Sequence, residues 1–385
     1  MRRASAENVA MNDSILFSTL ATASGHVFGR ATLNAPASLN ALTLEMIDLL
    51  GPRLDAWAAD PDVAGVMLDG AGEKGFCAGG DVVAQCHAIR RAGPGQVPPE
   101  AEAFFEREYR LDYRIHTYPK PLLCWGHGIV MGGGVGLLAA ASHRVVTPRS
   151  RLAMPEITIG LYPDVGGSWF MGRMPGRTGI FFAVTGAPMN AADARFAGLA
   201  DFTLRHEEHA AVLEAITASR WSGERTPDAT QLSHLLERYG NEAALAQPPM
   251  ASPLRSHYDR IAALMGHDEM ADIAPRLAAL TSDPDPWLAQ AATTFVKGSP
   301  TSAAISFDLQ QRARHMSLAD VFRLEYQAAI GFCVHHDFAE GVRALLVDKD
   351  KRPQWQPATL GEVSQELIEA HYVTRFEGAH PLADL

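Results

Sequence analysis

The sequence predicts an α/β fold that continues into a helical extension. Three observations predict it. β-like runs alternate with helix-period segments through the first half of the chain. A strand feeding a glycine-rich loop and then a helix occurs twice, within 63–92 and again within 121–141. From about residue 207 onward the periodicity is almost wholly helical.

The elements follow in order. Residues 15–20 and 26–33 are β-like and are split by ATASG, the pattern of a hairpin. Thr43 is placed to cap a helix over 44–59, where Leu44, Ile47, Leu50, Leu54 and Trp57 fall on one face. Pro52 inside it predicts a kink or a restart. Residues 63–69 read as a buried strand. GAGEKGFCAGGD follows, and Asp81 at its end is suited to cap a helix through Val82, Val83 and Ile89. RAGPGQVPP is a linker, 100–117 a helix and 121–125 a strand. A glycine cluster (Gly132, Gly133, Gly134, Gly136) then runs into the helix-like LLAAA. Later helices are expected at 177–184, after Asn190, and repeatedly beyond 207. Near the end, a short apolar run mixes with prolines and Trp355.

No composition shift is sharp enough for a free linker between halves. The expected organisation is a flexible arm over 1–13, a ligand-binding core over 14–205, and a helical region over 206–385 packed on that core.

Of the 385 residues, 47% are hydrophobic and 20% charged, which is ample for a core. A formal net charge of -11 argues against nucleic acid as a partner. The longest nearly apolar run, 128–141, is too short and too rich in glycine for a membrane span. Cys77, Cys86, Cys124 and Cys333 form no C-x-x-C pair, so no zinc or other metal site is expected. They read as reduced thiols, and the expected location is cytoplasmic. The mitochondrial matrix applies only if the first residues are a transit peptide; Arg2 and Arg3 suit one, while Glu7 and Asp13 do not.

The two glycine loops suggest chemistry. Each opens a helix, where N–H groups stand unpaired and carry partial positive charge. One donor from each, converging on one oxygen, makes an oxyanion hole; one loop alone is as well read as a tight turn. The glycines match neither G-x-G-x-x-G, nor G-x-x-x-x-G-K-[ST], nor G-x-S-x-G. Downstream stand two acids, Glu156 after Pro155 and Asp164 after Pro163. They suit acid–base or nucleophilic work on whatever the loops hold. Asp164 also fits a plain turn residue or helix cap. His127 is suited to packing beneath the loop.

Together FCAGGD (76–81), HGIVMGGGVGL (127–137) and MPEITIGLYPDVGG (154–167) resemble the crotonase (enoyl-CoA hydratase/isomerase) superfamily. With GSPTS (298–302) and HDFAEGVRALLVDKDKRPQWQPA (336–358), they are similar to its 3-hydroxyisobutyryl-CoA hydrolase branch. The resemblance covers about 14–360. It implies a spiral of repeated ββα units that binds an acyl-CoA, with coenzyme A as part of the substrate and no separate cofactor. It carries the thioester-oxygen donors onto the backbone N–H groups of Ala78 and Gly133. It marks Glu108, Gly133, Glu156 and Asp164 as substrate or catalytic positions, although Glu108, flanked by Arg107 and Arg110, also reads as a solvated charge. Superfamily members often form trimers, which leaves room for a homo-oligomer here.

One position departs from the hydratase pattern. Hydratases of this superfamily carry a glutamate three residues after the oxyanion glycine; here that residue is Gly136. Losing one hydratase acid while keeping the oxyanion hole favours attack at the carbonyl, and so thioester hydrolysis; the resemblance implies a short 3-hydroxyacyl-CoA, above all 3-hydroxyisobutyryl-CoA, and valine breakdown. Gly136 is also expected to leave room for a hydroxylated acyl group. The alternatives are an enoyl-CoA hydratase or isomerase and, from another class, a non-catalytic CoA-binding protein.

Overall fold

Residues 14–246 and 250–385 are described by a computed structural model; the arm expected over 1–13 lies outside the described residues. The expected hairpin is present: β1 (Ile15–Ala21) and β2 (Val27–Leu33) pair antiparallel, Ile15 opposite Leu33. Thr43 then caps α1 (Leu44–Ala59), its hydroxyl accepting from the Met46 N–H at 3.2 Å. The helix buries Met46, Ile47, Leu50, Leu54 and Trp57. It does not restart at Pro52. The Asp48 carbonyl, which proline cannot serve, belongs to an exposed residue and is open to water.

The chain continues through β3 (Val63–Gly70), β4 (Gly75–Cys77), α2 (Val82–Ala92), α3 (Pro99–His116), β5 (Leu122–Gly126), β6 (Ile129–Met131) and α4 (Gly133–Ala140). Next come β7 (His143–Val146), β8 (Arg151–Ala153) and, later, β9 (Phe202–Thr203). The main sheet has the order β1-β2-β3-β5-β7-β9 and is parallel from β2 onward. β4, β6 and β8 form a second, parallel sheet of three strands. β4 lies inside GAGEKGFCAGGD, which reads from sequence as a loop, and β6 and β8 fall where the sequence assigns no strand. These strands bring the two glycine loops side by side.

Beyond the sheets the chain is helical, and its helices pack back on the first half. Leu318–Val334 lies on α3, and His336–Val342 lies on α2 and on the tight turn Glu156–Ile159. Buried side chains from Ile15 to Leu382 form one connected cluster. A smaller one, around Phe28, Trp125 and Trp221, lies under the helices His209–Ala218 and Arg225–Ala246. Two late elements were not expected: a single π-type turn at Arg343–Val347 and the helix Gln365–His371.

Candidate active site

A cavity of about 240 Å³ opens where the two glycine loops meet α3 and the Glu156–Ile159 turn. Glu108, Glu156 and Asp164 line it, with Gly79, Gly80, Gly132 and Gly133 opposite. Phe104, Phe105 and Leu161 give it apolar walls, and Leu345 and Leu346 of the π-type turn border it. The cavity thus gathers the positions singled out in the sequence: Ala78, Glu108, Gly133, Glu156 and Asp164.

The donor pair differs from the expected one by two residues. The Ala78 N–H is already given to the Leu39 carbonyl at 3.0 Å, so it is not available to a ligand. Neighbouring N–H groups at Leu42 and Asp81 also serve the backbone. Among the described residues, no acceptor engages the Gly80 N–H. The Gly133 N–H stands at the first position of α4, where the helix supplies no acceptor. A Cβ built on Gly133 would lie 3.5 Å from the Gly80 nitrogen, so the two donors are adjacent. The convergent pair is Gly80 and Gly133. Gly133 is one of the two expected donors; the other, Ala78, is held by Leu39, itself in a left-handed conformation at φ 55°.

Glycine is required here for space. Gly132 has φ 50°, and a Cβ on it would come 3.1 Å from Glu156 Oε1. A Cβ on Gly133 would come 2.6 Å from Glu108 Oε1. Gly136 behaves otherwise than expected: it does not line the cavity. A Cβ there would meet Val165 Cγ2 at 2.6 Å, so Val165 fills the space that the sequence reading left for an acyl hydroxyl.

The acids lie in an apolar, cation-free environment. Glu108, Glu156 and Asp164 are 3–5% exposed. Glu108 Oε1 and Glu156 Oε2 have no protein hydrogen-bond partner. Burial, then the charges of Asp164 and Glu156, hold the Glu108 carboxyl well above its usual range. Burial and Asp164 do the same to Glu156. Asp164 is raised less, to about 6: burial pushes it up, and the Tyr109 hydroxyl pulls it back. That hydroxyl donates to Asp164 Oδ2 at 2.9 Å and lies 3.3 Å from the Tyr162 hydroxyl. Asp164 is therefore the acid of the three that ionises most readily.

Two buried acids beside the cavity were not singled out from sequence. Asp112 lies one turn beyond Glu108 on α3, and burial raises its carboxyl strongly. Glu325 comes from Leu318–Val334, is fully buried, and is raised to about 8 by burial. A signal for both exists in the sequence. Each falls on an apolar stripe at helical spacing, Tyr109–Asp112–Ile115 and Phe322–Glu325–Ala329, where an acid is not expected.

Other candidates stand apart from the cavity. The His127 ring meets the Gly72 carbonyl at 2.8 Å and stacks on His206 at 4.5 Å, so it packs beneath the loop. Asp81 caps α2 through the Ala84 N–H at 3.1 Å. Burial pushes the Cys77 thiol up to about 12, which leaves it a poor nucleophile. Among the described residues, no group of three or more His, Cys, Asp and Glu is arranged to hold a metal ion, and no helix is long and apolar enough to cross a membrane.

Residues 28–372 match the family model described as enoyl-CoA hydratase/isomerase. The chain is 37% identical over 343 residues to the mitochondrial 3-hydroxyisobutyryl-CoA hydrolase of Danio rerio, covering 89% of this chain and 86% of that protein. It is 36% identical over 344 residues to the Homo sapiens protein of the same name, with the same coverage of 89% and 86%. A crystal structure of a carnitinyl-CoA dehydratase from Mycobacterium thermoresistibile superposes with a TM-score of 0.81 at 36% identity, over 95% of this chain and 98% of that one. One of an enoyl-CoA hydratase from Rhodobacter sphaeroides gives 0.76 at 32% identity, over 94% and 97%.

Proposed function

This chain belongs to the enoyl-CoA hydratase/isomerase family, and on that premise we propose that it hydrolyses the thioester of a short 3-hydroxyacyl-CoA, above all 3-hydroxyisobutyryl-CoA. One observation carries the reading. Glu156 and Asp164 face two free backbone donors, while the place of the other hydratase acid is closed by Gly136 and Val165. The cavity thus supplies a carbonyl-polarising pair and the carboxyls of Glu156 and Asp164, with Glu108 beside them, while the position three residues after Gly133 carries no acid.

In this mechanism the thioester oxygen accepts from the Gly80 and Gly133 N–H groups. These meet the negative charge that develops there, and one such donor contributes about 2.7–4 kcal/mol. The hydroxyl of Tyr109 favours the charge on Asp164, while burial and that charge favour the proton on Glu156. The pair takes a proton from water as it attacks the carbonyl. The tetrahedral intermediate collapses by breaking the C–S bond, and the pair returns the proton to the departing thiolate. An alkyl thiol has a pKa of roughly 8.5 by analogy with cysteine, so this leaving group needs little help. A covalent route, with Glu156 attacking to form an anhydride, needs the proton moved from Glu156 to Asp164 first. The reaction needs no metal or redox cofactor. We assign it to valine breakdown and to the cytoplasm, whereas the vertebrate relatives are named as mitochondrial.

The test is release of free thiol from a panel of short acyl-CoAs, 3-hydroxyisobutyryl-CoA and 3-hydroxypropionyl-CoA among them. Steady CoA release is expected, and Glu156→Gln and Asp164→Asn should each lower kcat at least a hundredfold, on the order of the loss for an acid–base group, with KM little changed. No release from either ester overturns the reading. A second reading, hydration of an enoyl-CoA, is favoured by the names of the two superposed structures. It predicts loss of the enoyl chromophore from crotonyl-CoA with no free thiol.

A further inference from the structure

Asp164 does not stand on a regular element. It lies in the connection between the Glu156–Ile159 turn and the short helix Gly167–Met171. The next residue, Val165, has φ 53°, and Gly166 has φ 83°. Glycine adopts this left-handed region freely, but a β-branched residue does so only when its surroundings force it. On one side the buried Val165 side chain is pressed over Gly136. On the other side stands Glu325. Its two carboxyl oxygens accept from the Gly166 N–H and the Ser168 N–H, each at 2.8 Å. The backbone carbonyl of the same Glu325 accepts from the Tyr162 hydroxyl. One residue of the helix Leu318–Val334 is therefore tied to the chain on both sides of Asp164.

Glu325 is wholly buried and does not line the cavity. Burying a carboxyl without a cation is costly. The compensation is local: an apolar residue at 325 would leave two buried N–H groups without an acceptor, beside a strained turn.

We infer that Glu325 is the positioning residue for Asp164: by holding the Gly166 and Ser168 N–H groups it keeps Val165 left-handed and the Asp164 carboxyl turned into the cavity. This rests on the reading above that Asp164 takes part in the reaction. The geometry carries it: the gripped N–H groups lie two and four residues from the reactive acid, with the strained residue between.

Glu325→Gln in the full chain tests it, because an amide offers one acceptor oxygen and sets an N–H against the other donor. The variant should lose about a hundredfold in kcat, the scale of a misplacement near 1 Å. Its KM should stay within about threefold of wild type, which separates lost transition-state alignment from lost binding. The acid limb of the kcat/KM profile should move, and amide exchange should speed up across 162–168 relative to the rest of the chain. A role in stability alone predicts a lower Tm with an unchanged acid limb, unchanged kcat per folded molecule and unchanged local exchange; that result overturns the inference. Should Glu325→Gln fail to fold, Val165→Gly carries the test. Glycine accepts the left-handed conformation without strain but removes the plug and loosens the turn. A similar fall in kcat with KM retained supports the inference, and wild-type kcat with a wild-type profile overturns it. If the wild type releases CoA from no ester, the proposed function fails and exchange across 162–168 decides alone: faster in Glu325→Gln supports the inference, unchanged overturns it.

Discussion

Tyr109 donates to Asp164 and to neither Glu156 nor Glu108, which favours the ionised form of Asp164 over that of its neighbours. A rate that depends on ionised Asp164 must rise with pH through about 6. Tyr109→Phe keeps the ring and removes the donor. A hydrogen bond to a charged group contributes about 1.5–3 kcal/mol, so the acid limb of kcat/KM should move up by about one to two pH units. Asp164→Asn should abolish that limb. A limb that stays in place in Tyr109→Phe would show that another group governs it. At this scale the sequence is informative about residue type and less so about the atom. Glu156 and Asp164 could be singled out because they follow prolines in a glycine-rich frame. Gly80 could not be told from Ala78, because which N–H remains free depends on the Leu39 carbonyl, a contact across a loop. Gly136 misled in the same way: its neighbour Val165 is 29 positions away, and only the fold shows that it fills the gap.

Glu156 and Asp164 stand on short segments, and short segments leave little periodic trace. β4, β6 and β8 have three residues each, too few for alternation to register: β4 falls in a segment that reads as a loop, and the sequence assigns β6 and β8 no element. α1, α2 and α3 are long, Thr43 and Asp81 cap the first two, and the positions of all three are legible from those caps and the apolar spacing. The turn bearing Glu156 takes its rigidity from late in the chain. The Ser299 N–H donates to the Ile157 carbonyl at 3.0 Å, and the Ser299 hydroxyl donates to Asp337 at 2.5 Å. Gly341 packs its backbone against Ile159, where an added Cβ would lie 2.3 Å from the Ile159 carbonyl carbon. Neither backbone can yield without moving Glu156 or the helix His336–Val342. Gly341→Ala should therefore destabilise the protein by about 1–3 kcal/mol, the usual cost of overpacking, and depress kcat among the molecules that remain folded. Urea unfolding and thiol release on the same sample measure both. An alanine variant with wild-type stability would show that this contact is looser than its geometry.

Across the whole molecule, function and stability pull apart. The fold buries Glu108, Asp112, Glu156, Asp164 and Glu325 close together with no cation among them. Each has a carboxyl raised above its usual range, Glu325 to about 8 and Asp164 to about 6. Groups of this kind hold protons in the native state that the unfolded chain has released, so stability must fall as pH rises through the window between the two values. Buried histidines act in the opposite sense. His116, lowered to about 4, and His371, lowered to about 3, make stability rise with pH, but only up to their unfolded value of 6.5. Above 6.5 the histidines are silent and the acids act alone. The urea midpoint of the ligand-free protein should consequently decline between pH 6.5 and 8. Each such carboxyl contributes at most about 1.36 kcal/mol per pH unit of that decline. Glu156→Gln should flatten the slope over this range, whatever it does to the absolute stability, because the amide does not titrate. A midpoint that is constant or rising from pH 6.5 to 8 in the wild type would mean that these carboxyls are ionised in the native state at neutral pH. The proton that the proposed mechanism assigns to Glu156 would then have to come from elsewhere.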